Sequence, residues 1–521
     1  MSGSGEGSGG FHAASGDMAA SAGAGRTGTG GWREGQIRDG KLPTLERRAR
    51  IVRMISPAVI AGSVRIADAA LVMLCGVLLF HAYLGADAPV LRFIYYPTIL
   101  AGALLAVVSF QLSGLYRIPV LQRAMMQTGR LGLAWLGVLA VLMATGFLLK
   151  LGEDVSRVWF VGWSLGAFSS LVAMRSGATM LIRHWMKTGR LERRVVIVGG
   201  GERGQRLIEA LQASAGSDIK ICGVFDDRND ERVSDTVAGY PKLGTVDELV
   251  RFARSNRIDL LVMSLPLSAE RRVLEMMRKV WVLPVDIRLS ALDAPLRMTP
   301  GTYSYVGNVP FFNLYDKPLS DWDYVLKVIE DRVLAALFLL VLSPLLLLIA
   351  AAIKLDSRGP VFFKQRRYGF NNELVEVYKF RTLRHEQTDA NAARLVTSDD
   401  DRVTRVGRFL RRSSFDELPQ FITVLKGDMS IVGPRPHAIL AKAGDELYGD
   451  VVDGYFARHR VKPGITGWAQ INGWRGETDT REKILRRTEH DLYYIENWSL
   501  LFDLYIILRT PFAMLKGENA F

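Results

Sequence analysis

Five long apolar runs constrain the fold of this chain more than any other feature. Four occupy about residues 57–84, 92–115, 131–149 and 158–182, and a fifth, Val333–Ile353, contains no charged residue. Each is long enough to cross a hydrocarbon core of about 30 Å, because a helix rises about 1.5 Å per residue. A mean hydropathy of only +0.13 over the 521 residues leaves room for substantial water-soluble mass. The sequence therefore predicts a membrane protein with large soluble domains.

The charges of the connecting loops predict how the first four runs are oriented. Basic residues are concentrated before the first run, between the second and third, and after the fourth, whereas the other two loops are poorer in them. By the positive-inside rule, both ends of a four-helix transmembrane bundle at 46–190 lie in the cytoplasm. Arg65, Asp68 and Arg175 interrupt the runs, and they either mark a transport path or pair within the bundle.

The N-terminal segment, residues 1–45, is predicted to be a disordered Gly/Ser-rich tail. Eleven of the 50 glycines fall in residues 1–31, and so few apolar side chains cannot offset the entropy lost on ordering. The segment also lacks the basic start and apolar core of a signal peptide. Two cysteines in the whole chain exclude a disulfide scaffold.

Residues 191–315 alternate short apolar strands with helical segments, which predicts a Rossmann-like α/β domain with a largely parallel sheet. A glycine turn with Gly199, Gly201 and Gly204 follows the first strand, and Asp226 comes about 20 residues later. This is the context of a dinucleotide-binding fingerprint. The alternative is a sheet domain whose glycine turn binds nothing.

The fifth apolar run is predicted to form a re-entrant membrane helix at 328–354. The sheet domain before it and the basic residues after it both favour the cytoplasm, so its two ends are expected on one side. Pro344 lacks an N–H and kinks a helix, and the Ser343 hydroxyl can satisfy a carbonyl that is freed by the proline. A plain span that tolerates the proline is the alternative.

The α/β domain that includes this helix, residues 316–521, carries the motifs suited to chemistry. Asp416 and Glu417 are adjacent and follow several arginines, a combination that suits a metal-assisted phosphate site. The competing interpretation is structural, because Ser414 and Glu417 have the spacing of a capping box at a helix N-terminus.

Three further motifs could bind phosphate or nucleotide. Arg435 stands between Pro434 and Pro436, which stiffen the backbone and present its guanidinium to an anion. A basic group close to the membrane segment could face a diphosphate or lipid headgroups; its members are Lys364, Arg366, Lys379 and Arg381. The segment after Arg458, rich in glycine and amide side chains, could surround a base and its ribose. A surface salt bridge, a solvated basic face and a tight turn are the respective alternatives.

In their order along the chain these motifs resemble the polyprenyl glycosylphosphotransferases, also called large monotopic phosphoglycosyl transferases. The resemblance covers about residues 46–521 and is most specific over about 328–515. The matching motifs are Ser343-Pro344, Pro360–Arg366, Lys379–Thr382, Asp416–Gln420, Gly427–Pro436 and Lys462–Gly467. Two positions depart from the family pattern, since Thr423 replaces a frequent Asn and Phe415 a frequent Leu, and local repacking is expected there.

The resemblance implies an enzyme that transfers a sugar-1-phosphate from a UDP-sugar to undecaprenyl phosphate and releases UMP. Asp416 would attack the β-phosphate and hold a covalent sugar-phosphate, and Glu417, with Asp416, would bind Mg²⁺. The implied phosphate-binding residues are Lys364, Arg366, Lys379, Arg381 and Arg435. The implied nucleotide-binding residues are Pro434, Pro436, Lys462, Pro463, Gly464, Thr466 and Gly467.

The resemblance also implies a cellular setting. It places the protein in the bacterial inner membrane among membrane lipids, with the catalytic domain on the cytoplasmic side, at the first membrane step of exopolysaccharide or capsule synthesis. It is compatible with a homodimer. The stretch Gly473–Thr480 resembles members that use UDP-glucose, so glucose-1-phosphate is the expected group. Galactose-1-phosphate or another sugar is the alternative.

Other protein classes fit parts of the sequence. A non-catalytic scaffold of polysaccharide assembly would use the carboxylate pair only as a cap. A membrane-bound dehydratase would need a Tyr-Lys pair in a second glycine-rich fold, which residues 354–521 do not supply, and a transporter would need more polar groups in its spans. The net charge of +13 is concentrated beside the predicted membrane segments and the proposed diphosphate site. Anionic lipid and phosphorylated substrates therefore account for this charge without nucleic acid.

Overall fold

The computed structural model describes most of the chain from Ile55 to Leu515. The described residues are 55–85, 89–150, 154–214, 219–228, 236–266, 268–292, 303–306, 308–384, 400–437, 442–443, 446–447, 454–474 and 480–515. The predicted disordered tail at 1–45 lies outside them, as does most of the segment that resembles the UDP-glucose members.

Among the described residues, four long helices and one short helix precede the sheet domain. They are α1 (Pro57–Leu84), α2 (Pro89–Leu112), α3 (Ile118–Leu121), α4 (Ala124–Leu148) and α5 (Arg157–Lys187). The short helix α3 was not expected from the hydropathy pattern. Inside the bundle, Arg175 Nη2 lies 2.5 Å from Asp68 Oδ2 and both side chains are buried. The structure thus shows these two intrusions paired with each other within the bundle.

A mixed eight-stranded sheet forms the next domain. In chain order its elements are β1 (Arg193–Val198), α6 (Glu202–Ala213), β2 (Ile219–Phe225), β3 (Thr236–Val237), β4 (Tyr240–Gly244), α7 (Val246–Ser255), β5 (Leu260–Met263), α8 (Glu270–Val280), β6 (Asp286–Ser290), β7 (Tyr303–Val306) and β8 (Val309–Tyr315). The sheet order is β3-β4-β2-β1-β5-β6-β8-β7. Strands β4, β2, β1, β5 and β6 run parallel, as predicted, whereas the antiparallel β7–β8 hairpin extends the sheet beyond the expected pattern.

The glycine turn lies at the carboxyl end of β1. Gly199 has φ +102°, and a Cβ at Gly204 would overlap the Gly199 carbonyl oxygen, so both positions require glycine. The buried Asp226 carboxylate accepts a 2.7 Å hydrogen bond from the Gly200 N–H. These contacts give the turn a packing role. Nucleotide binding by Gly199, Gly201, Gly204 and Asp226 stays a prediction.

Helix α9 (Asp321–Asp356) is the longest element, with 36 residues and a length of about 54 Å. It continues through Pro344, and Ser343 Oγ donates a 2.8 Å hydrogen bond to the Leu340 carbonyl oxygen. That oxygen is four residues before the proline and has therefore lost its helical N–H donor. Large apolar side chains of the following turns are exposed, among them Leu347 and Leu348. Together with α1, α2, α4 and α5, α9 makes five described helices that are long and apolar enough to cross a membrane.

Short elements pack around α9 to complete the C-terminal domain. They are β9 (Phe362–Tyr368), a 3-10 helix (Phe370–Asn372), β10 (Leu374–Phe380), α10 (Arg405–Ser413), a 3-10 helix (Phe415–Glu417), α11 (Gln420–Lys426), β11 (Ser430–Val432), β12 (Lys442–Ala443), β13 (Glu446–Leu447), a 3-10 helix (Tyr455–Arg460), β14 (Gly464–Thr466), α12 (Trp468–Ile471), α13 (Arg481–Glu496) and α14 (Leu500–Leu515). Strands β9 and β10 form an antiparallel hairpin, and β11 pairs in parallel with β14.

A buried polar network joins α9 to β11. Asp331 Oδ1 accepts hydrogen bonds from Ser430 Oγ at 2.8 Å and from the Ile431 N–H at 2.9 Å. Lys327 Nζ lies 3.2 Å from Asp331 Oδ1 and 2.5 Å from Asp503 Oδ2 on α14. The long helix therefore holds the strand that leads directly into the Pro-Arg-Pro segment.

Close packing of β11 against β14 leads to a first prediction, on Gly464→Ala. A Cβ at position 464 would overlap the Gly433 nitrogen and the Thr466 carbonyl oxygen, and backbone atoms cannot rotate away as a side chain can. We expect the free energy of unfolding in detergent to fall by at least about 1–3 kcal/mol, the usual cost of overpacking.

The matched control is Gly137→Ala in α4, where a Cβ would meet open space. Chemical denaturation followed by tryptophan fluorescence measures both variants. Equal stability of Gly464→Ala and the wild type would show that the two strands separate easily.

Candidate active site

The adjacent carboxylates lie in a 3-10 helix that interrupts two α-helices. Ser414 ends α10 in a left-handed conformation, φ +58°, which turns the chain sharply before Asp416. Its side chain makes no cap bond at the start of the 3-10 helix. Glu417 instead accepts a two-pronged contact from Arg435, with Nη2–Oε1 2.7 Å and Nη1–Oε2 3.1 Å. The capping-box interpretation is therefore wrong, because the Glu417 carboxylate is bound elsewhere.

Lys379, near the end of β10, contacts both carboxylates. Its Nζ lies 2.8 Å from Glu417 Oε1 and 3.9 Å from Asp416 Oδ2. Each of these side chains is mostly buried. Four predicted site residues, Asp416, Glu417, Lys379 and Arg435, thus meet in one cluster, although they come from three separated segments.

The two carboxyl groups have different electrostatic surroundings. Burial raises the pKa of Asp416 above its usual value, with Lys379 acting in the opposite direction and the Glu417 charge adding to the rise. For Glu417 burial also acts to raise the pKa, but Arg435 and Lys379 outweigh it and hold that pKa well below the usual range. Glu417 is accordingly the anion that is fixed by ion pairs, whereas Asp416 keeps more of its oxygen lone pairs uncommitted.

Two arginines that the sequence analysis did not assign to the site hold the Pro-Arg-Pro backbone. Arg367 Nη1 donates to the Pro436 carbonyl oxygen at 2.7 Å, and Arg458 Nη2 donates to the Arg435 carbonyl oxygen at 3.0 Å. Burial lowers the pKa of Arg367 to about 10. Arg458 is itself held by a buried ion pair with Asp491 at 2.5 Å. One signal in the sequence could have indicated Arg367. Because side chains alternate along a strand, Arg367 lies on the same face of β9 as Gln365.

A third arginine, Arg411 on α10, is one of the arginines that precede the carboxylates in the sequence, and it also acts on the pair. Its positive charge lowers the pKa of Asp416 and so partly offsets the effect of burial. Arg411 Nε donates a 3.0 Å hydrogen bond to Thr382 Oγ1, which fixes the side chain beside the site.

Three predicted phosphate-binding residues lie elsewhere. Lys364 and Arg366 are exposed on β9, opposite Tyr378 and Glu376, and so face away from Lys379 on the same hairpin. Arg381 follows β10 and donates to the carbonyl oxygens of Ser357 and Arg358 just beyond the end of α9. Phosphate binding by these three residues stays a prediction.

The predicted nucleotide-binding residues fall into two groups. Pairing of β11 with β14 places Gly464 beside Pro434, with a 3.0 Å hydrogen bond from the Gly464 N–H to the Pro434 carbonyl oxygen. Lys462 lines a different cavity, of about 390 Å³, between α1, α9 and the sheet domain. The remaining members, Pro436, Pro463, Thr466 and Gly467, lie on or next to these paired segments. Their nucleotide contacts stay predictions.

The carboxylate pair provides ligands that suit Mg²⁺. Glu417 accepts three hydrogen bonds and a carboxylate offers about four lone-pair directions, so Glu417 and Asp416 together retain free oxygen lone pairs. No group of three or more metal-ligating side chains lies within the described part of the chain. Two carboxylates nevertheless fit Mg²⁺, which commonly takes one or two from the protein and the rest from water and substrate phosphates.

Comparison with known proteins places the chain in a family. A family model described as bacterial sugar transferase matches residues 322–517, and one described as CoA-binding domain matches residues 111–291. The UDP-glucose:undecaprenyl-phosphate glucose-1-phosphate transferase of Xanthomonas campestris pv. campestris is 34% identical over 459 residues, 88% of this chain and 94% of the relative. The chain belongs to the bacterial sugar transferase family.

Other relatives define what the family has in common. The Escherichia coli (strain K12) protein of the same name is 40% identical over 367 residues, 70% of this chain and 75% of the relative. The UDP-N-acetylgalactosamine-undecaprenyl-phosphate N-acetylgalactosaminephosphotransferase of Aeromonas hydrophila is 44% identical over 192 residues, 36% of this chain and 44% of the relative. The names share the undecaprenyl phosphate acceptor and differ in the sugar.

The ion pairs of Glu417 predict a loss of stability in Glu417→Gln. At pH 7 the change leaves Arg435 and Lys379 without their shared anion, so the free energy of unfolding should fall by about 3 kcal/mol. Because the pKa of Glu417 is lowered in the folded protein, its contribution is complete above the unfolded pKa near 4.3 and is lost as the pH falls through the folded value. The difference between variant and wild type should therefore shrink in acid.

The control is Glu376→Gln, which removes a carboxylate whose partner, Lys364, is on the surface 3.4 Å away. Denaturant titrations in detergent at pH 7 and pH 3 measure both variants. A Glu417→Gln protein as stable as the control at pH 7 would contradict a stabilising role for these ion pairs.

Proposed function

We propose that this chain transfers a sugar-1-phosphate from a UDP-sugar to undecaprenyl phosphate and releases UMP. The observation that carries the proposal is the buried Asp416–Glu417 pair, bound by Arg435 and Lys379. The names of the relatives support the same reaction.

Asp416 is the nucleophile in this proposal. Arg435 and Lys379 hold both oxygens of Glu417, whereas Asp416 has one ion pair at the longer distance of 3.9 Å. Its electron pairs are thus more available for attack. Burial raises the pKa of Asp416, whereas the charges of Lys379 and Arg411 act in the opposite direction and favour its ionised, nucleophilic form.

In the first step an Asp416 oxygen attacks the β-phosphorus of the UDP-sugar. A bond forms between Asp416 and that phosphorus, and the bond to the oxygen that bridges the two phosphates breaks. UMP leaves with the electron pair. Arg435 and Lys379 are placed to offset the charge that develops on the phosphate oxygens.

In the second step an oxygen of undecaprenyl phosphate attacks the phosphorus held by Asp416. The new bond gives the undecaprenyl-diphosphate-linked sugar, and the Asp416 carboxylate is released. In both steps, Mg²⁺ held by Glu417 and Asp416 would supply positive charge that offsets the negative charge of the phosphates. Dividing the transfer in two lets one nucleophile serve both the donor and the acceptor.

The membrane setting follows from the acceptor. Undecaprenyl phosphate is confined to a bilayer, and exposed apolar side chains cover α9 and α14, including Leu347 and Leu508. The basic loops support a multi-pass protein of the bacterial inner membrane with its active site in the cytoplasm. The Ser343 contact beside Pro344 supports a re-entrant α9. A homodimer and a place in exopolysaccharide or capsule synthesis belong to the same proposal.

Asp416→Asn tests the nucleophile. UMP release from the UDP-sugar should fall by at least about a thousandfold, the scale expected when a nucleophile is removed. With a UDP-sugar labelled in the sugar and no acceptor present, label should remain on the wild-type protein and not on the variant. Asp428→Asn, at an exposed carboxylate in the loop before β11, is the control and should retain activity.

The outcomes of this experiment separate the alternatives. Unchanged UMP release by Asp416→Asn would contradict its role as nucleophile. A well-folded wild type that releases no UMP with any donor would favour a scaffold of polysaccharide assembly.

Glucose-1-phosphate is the preferred transferred group. The Xanthomonas campestris pv. campestris and Escherichia coli (strain K12) relatives carry UDP-glucose in their names, whereas the Aeromonas hydrophila relative carries UDP-N-acetylgalactosamine. With undecaprenyl phosphate as acceptor, kcat/KM should be highest for UDP-glucose among UDP-glucose, UDP-galactose and UDP-N-acetylgalactosamine. The Asp416→Asn protein supplies the background for each donor. A higher value for either other donor would exclude glucose as the preferred sugar.

A further inference from the structure

A second cavity, of about 170 Å³, lies directly beside Glu417. It is lined by Glu417 and its neighbours, by β14, by α12 and by α14. Its walls are mainly apolar, and none of the described lining residues is a lysine or an arginine. The cavity has room for a group much larger than a water molecule. Its composition does not suit a phosphate, which would require cationic or N–H donors.

Gln470 on α12 lines this cavity and has an unused hydrogen-bond acceptor. Its side chain is 9% exposed. The amide nitrogen Nε2 donates to the Ile465 carbonyl oxygen at 3.3 Å. The amide oxygen Oε1 is buried and has no hydrogen-bond partner among the described residues. A buried acceptor without a donor costs about 1–3 kcal/mol, so a ligand that brings a donor gains a well-defined contact.

The two threonine hydroxyls that line this cavity do not supply that donor. Thr510 Oγ1 donates to the Ile506 carbonyl oxygen at 2.7 Å. Thr466 Oγ1 lies 2.8 Å from Thr510 Oγ1. Since the Thr510 proton is committed to Ile506, the Thr466 proton is the one shared between the two hydroxyls. Both protons are therefore used, and Gln470 Oε1 is left for an incoming group.

We propose that Gln470 accepts a hydrogen bond from a hydroxyl of the donor sugar and so helps to determine which sugar is transferred. The inference rests on the proposed function, in which the phosphate attacked by Asp416 carries the sugar. A sugar is neutral and rich in hydroxyl donors, and it lies one phosphate away from Asp416. A mainly apolar cavity with a few fixed polar groups, here the Glu417 carboxylate and the Gln470 amide oxygen, is the usual form of a site that orients such a group.

A hydrogen-bonding site of this kind discriminates strongly. When the matching hydroxyl is missing from the sugar, the buried acceptor stays unpaired. An analogue without that hydroxyl is therefore rejected more strongly than an analogue that lacks a methylene in an apolar pocket. Gln470 is thus a specificity-determining residue, whereas Asp416 carries the chemistry.

The test combines Gln470→Met with deoxy analogues of the preferred UDP-sugar. Methionine keeps the length of the side chain and removes the amide oxygen. For the full sugar, kcat/KM should fall about 10–100-fold in the variant. One deoxy analogue should show a similar loss with the wild type and little further loss with the variant, because both changes remove the same hydrogen bond.

Inhibition by UMP separates the sugar from the uridine, which also carries hydroxyl and N–H donors. The inhibition constant of UMP should be unchanged in Gln470→Met. Weaker inhibition by UMP, in parallel with the loss of kcat/KM, would assign the Gln470 contact to the uridine and overturn the proposal.

Asn472→Leu is the matched control. Asn472 is an exposed residue two positions further on. Its amide nitrogen Nδ2 donates to the Trp468 carbonyl oxygen at 2.8 Å, as the amide nitrogen of Gln470 donates to the Ile465 carbonyl oxygen. It should retain wild-type kcat/KM with every analogue. If Gln470→Met does not fold, the analogue series with the wild type still tests the proposal, since at least one deoxy analogue must lose about 10-fold or more.

The outcomes also separate this inference from the proposed reaction. In one outcome the wild type releases UMP, and the loss from Gln470→Met adds to the loss from every deoxy analogue. That result would overturn the role of Gln470 and leave the proposed reaction intact. Absence of UMP release by the wild type with all donors would overturn the reaction itself.

Discussion

The candidate active-site cluster depends on the carboxylate of Glu417. Lys379 comes from the β9–β10 hairpin and Arg435 from the segment after β11. Both donate hydrogen bonds to Glu417, and without that carboxylate the two positive charges would repel each other. Glu417 supplies the negative charge that lets both cations occupy one buried place. It also determines which of the two carboxylates is free, because the oxygens it commits to ion pairs leave Asp416 with the more accessible electron pairs. One ion-pair arrangement thus both assembles the site and distinguishes its two acidic residues.

The sequence was most informative where a motif is local. Asp416 and Glu417 are adjacent, and Arg435 is stiffened by its own flanking prolines, so their chemistry could be predicted without a fold. Lys379 was predicted for a phosphate site, and it lies beside the carboxylate pair. By contrast, Lys364 belongs to the same basic group but lies on the other face of the hairpin. That difference depends on the cross-strand register of β9 and β10, which composition does not reveal.

Residues whose roles depend on distant partners escaped the sequence analysis. Arg367 and Arg458 hold backbone oxygens of the Pro-Arg-Pro segment from 69 and 23 residues away. Gln470 is recognisable only because its amide nitrogen is used and its oxygen is not. For the fold, the periodic apolar runs and the alternation of strands and helices were sufficient to predict the helices and the parallel sheet. The β7–β8 hairpin and α3 have no comparably regular pattern.

The Asp331 contacts link the long helix to the Pro-Arg-Pro segment. Asp331 lies on the helix whose outer surface is apolar, and it holds the two residues of β11 that precede the Pro-Arg-Pro segment by only a few positions. A displacement of α9 along its axis would therefore be transmitted through β11 to the place where Arg435 meets Glu417. A helix that is apolar enough to cross a membrane is in this way also a structural support of the carboxylate cluster.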